Sequence, residues 1–158
     1  RAEAVIRRED MIPKEIIKLC QAFVRSFPDN ELIPQVQNAL EGANKAAAGI
    51  RVAGLTSDSI RESLEAGNET REDILKTMRG DKDAAHRVAK DFISKDISNS
   101  RRVEIWLKLS AELGNGIASW ELAGLYANLG MVGEVARYEQ KALDLGYRPP
   151  PRLSNRGY

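Results

Sequence analysis

Cysteine and histidine are all but missing: Cys20 and His86 are the only examples among 158 residues. A single cysteine excludes an internal disulfide framework and any multi-Cys metal site, while leaving the redox compartment open. No His/Cys cluster is present to hold zinc. Net charge is missing too, since 24 Lys and Arg stand against 23 Asp and Glu. The two halves barely differ in this balance, so no global field draws the chain to nucleic acid or to an anionic membrane. No apolar run approaches the about 20 residues that a membrane-spanning helix needs. There is neither a Gly-rich phosphate loop of the Walker type nor a G-x-S-x-G elbow. The acids fall at helix starts or on solvent faces, where capping is their ordinary use. We therefore expect no cofactor, no metal, no membrane insertion and no enzyme. The first residue is Arg1 rather than Met, so the sequence reads as a fragment or a processed product.

What is present is a repeat. Val103 matches Val135, Trp106 matches Tyr138, Ser110 matches Ala142, and Leu113-Gly114 matches Leu145-Gly146, all at an offset of 32. Upstream, Ala84, Val88, Ala89 and Phe92 match Ala118, Leu122, Ala123 and Tyr126 at an offset of 34. The two-residue difference is a longer loop after Phe92. Periods of this length mark stacked helical arrays. The pattern predicts helices over residues 82–94, 101–113, 117–129 and 133–145. Gly114, Gly130 and Gly146 stand where helices end in left-handed caps.

The first 80 residues are helical but less regular. Ile16, Ile17, Cys20, Phe23, Val24 and Phe27 form one apolar stripe between Pro13 and Pro28. Cys20 lies inside that stripe and reads as a small buried hydrophobe. A second helix, with Asp29 or Asn30 as its cap, runs past Leu32, Ile33, Val36 and Leu40. Gly49 to Gly54 reads as its weak end or a kink. Thr56 to Asp58 starts a third region, interrupted at Gly67-Asn68, where Thr70 and Asp73 resemble a capping box. Residues 1–80 are either degenerate repeats or a separate helical cap. Residues 148–158, with Pro149-Pro150-Pro151, make a Pro/Arg-rich tail.

Trp106 followed by Ser110-Ala111-Glu112-Leu113-Gly114-Asn115 resembles the second helix of a Sel1-like repeat. Ala118, Leu122, Ala123 and Tyr126 resemble the first helix of the next unit, and fit the related tetratricopeptide pattern as well. The resemblance covers about two units, residues 82–147. Leu107, Leu109, Tyr138 and Tyr147 depart from the family pattern. The resemblance implies an all-α fold, an antiparallel helix-pair solenoid of about seven or eight helices, regular in its C-terminal half. It implies a non-catalytic interaction module that holds a peptide or protein segment on a concave face. In the tetratricopeptide register the first helices line that face, with Asp83, His86 and Lys90 pointing outward from one, and Trp120, Gly124 and Asn128 from the other. Trp120 lies outside the apolar stripe of its own helix, which leaves two uses for it, a binding anchor or packing between repeats. A structural or self-assembling domain of a larger secreted or effector protein is the alternative expectation.

Overall fold

The computed structural model describes residues 12–64, 68–95 and 100–150, and among them the chain is helical throughout with no strand. The helices are α1 (Pro13–Ser26), α2 (Ile33–Ala53), α3 (Ser57–Ser63), α4 (Asn68–Thr77), α5 (Lys82–Lys95), α6 (Ser100–Glu112), α7 (Gly116–Asn128) and α8 (Val132–Asp144). The four repeat helices begin and end within one residue of the spans that the periodicity predicts. The residues beyond Pro150 lie outside the described chain, so of the Pro/Arg-rich tail only Arg148 to Pro150 is placed.

From α4 onward each helix packs on its successor, and these neighbours run antiparallel. Thr70 of α4 donates to Asp91 of α5, and Ser110 of α6 donates back to the Lys82 carbonyl at the start of α5. Tyr126 of α7 donates to Glu104 of α6, and Ser119 donates to the Tyr138 carbonyl of α8. The matched apolar positions supply the core. Ala84, Val88, Ala89 and Phe92 of α5 are buried, as are Ala118, Leu122, Ala123 and Tyr126 of α7. Trp106 and Tyr138, at the same place in α6 and α8, are each 1 % exposed. Alanine lets the backbones approach while the ring fills the gap beside it.

One turn is used five times. Gly54, Gly80, Gly114, Gly130 and Gly146 take φ of +78°, +95°, +113°, +74° and +91°, the left-handed region that glycine enters without a Cβ penalty. In each case the amide of the next residue reaches back to the carbonyl five positions earlier, as in Asn115 to Ser110 and Tyr147 to Ala142, both at 3.0 Å. This satisfies carbonyls that the helix end leaves open. Asp81 and Asn115, each one residue past such a glycine, then cap the following helix. Asp81 accepts from the Ala84 amide and Asn115 from the Ala118 amide.

The N-terminal helices differ from expectation in two places. Gly49 to Gly54 is neither a kink nor a weak end, because α2 continues to Ala53 and closes on Gly54 at φ +78°. Helix propensity is overridden by packing. A Cβ on Gly42 would stand 2.1 Å from the Arg79 carbonyl oxygen, and one on Gly49 would stand 2.8 Å from a Leu109 methyl. The glycines are where α2 crosses the α4–α5 turn and lies against α6. Second, Thr70 and Asp73 do not form a capping box, since α4 already begins at Asn68. Thr70 bonds Asp91, and Asp73 takes a two-pronged contact from Arg87, so both tie α4 to α5. Cys20 is 2 % exposed, in a small second core with Ile16, Val36 and Ala43 between α1 and α2.

Candidate functional site

The two first helices of the repeat, α5 and α7, lie side by side and parallel, with their contacts spaced by about the repeat offset. At their N-terminal ends the Asn115 amide donates to the Asp83 carboxylate at 3.1 Å. One turn further on, His86 Nε2 meets Glu121 Oε1 at 2.5 Å, and Lys90 Nζ stands 3.4 Å from Glu121 Oε2. The hydrogen bond from His86 holds the Glu121 carboxyl below its ordinary pKa; partial burial opposes this and Lys90 adds to it. A carboxylate shared between an imidazole and an ammonium fixes how the two helices sit against each other.

Beyond Glu121 the helices part and leave a groove of 520 Å³, with α6 as its floor. Ile93 of α5, Val103 and Leu107 of α6, and Leu125 of α7 make it mainly apolar, and Glu121, Gly124 and Asn128 give it a polar edge. Gly124 matters to its depth. Nothing lies within 4 Å of where its Cβ would be, so the glycine is demanded by neither backbone strain nor a neighbour.

The structure thus divides the residues that the sequence singles out. Gly124 and Asn128 line the groove, and His86 and Lys90 meet at its inner end through Glu121. Asp83 joins the N-terminal lock with Asn115. Trp120 turns the other way. It is half-buried, its ring 5.8 Å from that of Tyr147, which occupies the place in the repeat that Asn115 holds one unit earlier. Glu121 and the apolar wall of Ile93, Val103, Leu107 and Leu125 were not singled out by sequence reasoning. A usable signal existed for Glu121: it follows His86 by 35 residues, one more than the offset that aligns α5 with α7.

Behind the groove the polar groups are spoken for. The Tyr126 hydroxyl donates to Glu104 at 2.7 Å and the Tyr138 hydroxyl to Glu112 at 3.5 Å. Burial pushes both phenols up, that of Tyr138 to about 12, with the neighbouring carboxylates adding to the shift. Among the described residues no buried side-chain nitrogen or oxygen lacks a partner, no group of three His, Cys, Asp or Glu could hold a metal ion, and no helix is long and apolar enough to cross a membrane. Compared with known proteins, the chain is matched by no family model, no curated protein and no solved structure.

Proposed function

We propose that this chain is a non-catalytic interaction module, a short helix-pair solenoid of the Sel1 or tetratricopeptide kind. It holds a peptide or protein segment in the groove between α5 and α7. The observation that carries the reading is the groove itself, an apolar trough with a polar edge whose walls come from matched helices of two successive units. The parallel contacts of α5 with α7 and the repeated glycine turn support the solenoid part of it. An extended segment with two or three apolar side chains suits such a trough, its backbone within reach of Asn128 and Glu121.

The test is a selection of random peptides on the immobilised chain, followed by titration of the enriched sequences against variants. Gly124→Arg fills the trough at a position with open space around it, so it leaves the fold intact, as circular dichroism checks. We expect enriched peptides to lose about tenfold or more in affinity on Gly124→Arg. Trp120→Ala, which removes a ring that packs on Tyr147 and does not line the trough, leaves them unchanged. Failure to enrich any peptide, or equal binding by Gly124→Arg, overturns the assignment.

A further inference from the structure

The α6 helix lines two cavities, one on each side. Val103 and Leu107 look into the peptide groove. Residues two apart on a helix do not share a face, so Arg101 and Ile105 look the other way, toward α3. A separate pocket of 210 Å³ opens there. Leu55 and Ile105 give it an apolar back, Ser59 and Ser63 line it from α3, and Arg101 and Arg102 line it from α6. No acid is among its lining residues.

The two arginines stand against local preference. They occupy the first turn of a 13-residue helix with no acid there, at the end where the backbone dipole is already positive. Each is nonetheless positioned. Arg101 Nη1 meets Glu104 at 3.4 Å, and its Nη2 lies 3.9 Å from the place of a Cβ on Gly54, at the close of α2. The Arg102 guanidinium lies 5.1 Å from the centre of the Phe92 ring. Glu104 also accepts from Tyr126 and pairs with Lys108, so its one charge is shared between two cations and a phenol. The Arg101 side chain stays 70 % exposed, open to a ligand from solvent. Ser63 gives its hydrogen to the Ser59 carbonyl, whereas Ser59 accepts from Thr56 and keeps its own hydrogen to give.

Two guanidiniums and a hydroxyl therefore line one small pocket that contains no acid of its own. A guanidinium fork matches two oxygens of a phosphate, and clustered arginines are a recurring way to read phosphorylated segments. The pocket is smaller than those that enclose whole organic ligands, and suits one tetrahedral group whose stem points to solvent. A carboxylate, with two oxygens in a plane, leaves the third donor unmet. We propose that the α3–α6 pocket binds a single phosphoryl group, held by Arg101, Arg102 and Ser59. The site lies across α6 from the peptide groove and does not depend on that groove being filled.

Amide NMR of the full chain, titrated with inorganic phosphate at an ionic strength held constant with chloride, tests this. We expect saturable shifts confined to Ser59, Ser63 and the first turns of α6, with a Kd on the order of millimolar. Arg101→Gln and Arg102→Gln each weaken binding by about tenfold or more, thermal melts checking that both variants fold. Arg25→Gln, at an exposed arginine in the last turn of α1, leaves it unchanged. An end-capped phosphoserine is the second arm. Binding tighter than that of phosphate makes a modified side chain the source of the group, and binding no tighter makes it the free ion. Absent shifts, shifts that rise without saturating, or shifts spread over the exposed lysines and arginines of other helices overturn the proposal. Binding indifferent to both arginine variants overturns it as well.

Discussion

Leu113 and Leu145 are the same residue at the same point of the same turn, each one before a left-handed glycine, yet Leu113 is 6 % exposed and Leu145 40 %. The α5/α6 and α7/α8 pairs that they close also share their small residues, their buried ring and their antiparallel packing. What separates them is α2. It runs antiparallel along the outer side of α6, with Gly49 against Leu109 and Leu113. No described helix does this for α8, where Lys141 replaces Leu109 and reaches Glu112 instead. Burial here is set by what lies beside a helix pair more than by the pair's own residues.

The comparison is broken most directly by truncating both leucines. Leu113→Ala removes a side chain enclosed by α2 and α6 and is expected to cost about 2–5 kcal/mol. Leu145→Ala, at the half-covered site, is expected to cost about 1 kcal/mol or less. Urea unfolding with unchanged slope measures both. Equal losses show that α2 does not protect α6, and that the difference in exposure carries no energy.

The glycines sharpen the same contrast at a smaller scale. Gly42→Ala drives a methyl group against the backbone of the α4–α5 turn and is expected to cost about 1–3 kcal/mol. Gly124→Ala meets nothing and replaces a poor helix former by the best one, so stability rises by up to about 1 kcal/mol. Opposite signs for one substitution, read from shifted thermal midpoints, locate where close approach is used. A loss at Gly124 means that something fills the groove in the free chain.

These two glycines also mark how far the sequence could be read. The α5–α8 half was legible because a fixed offset pairs Ala with Ala and ring with ring, and that pairing survives any uncertainty in propensity. The α1–α4 half was not, because Gly42 and Gly49 break a helix by every local rule and are kept by contacts with Arg79 and Leu109, some 40 to 60 residues away. The relation of α4 to the repeat was hidden for a similar reason. Its Gly80 turn and Asp81 cap copy those at Gly114 and Asn115, but Met78 and Arg79 share nothing obvious with Glu112 and Leu113. At the site, polar candidates at outward positions could be named from helical spacing. The apolar wall could not, because Ile93, Leu107 and Leu125 look like any other core residue until the helices are seen to part.

The smallest effect expected is the most specific to the lock between α5 and α7. Glu121 has its pKa lowered in the folded chain, chiefly by His86, from an ordinary value of 4.5. A carboxylate depressed by folding contributes stability that is complete above its unfolded pKa and is lost as pH falls through the folded one. Its side chain is 34 % exposed, so solvent screening keeps the contribution under about 1 kcal/mol. Glu121→Gln keeps the shape and removes the charge. The stability difference between the native chain and this variant is therefore expected to be largest near neutrality and to shrink below the ordinary carboxylate range, as followed by urea unfolding at a series of pH values. If Glu121→Gln changes stability by the same amount at every pH, the His86–Glu121 contact is no more than a surface pair, and the two ends of the repeat differ in apolar cover alone.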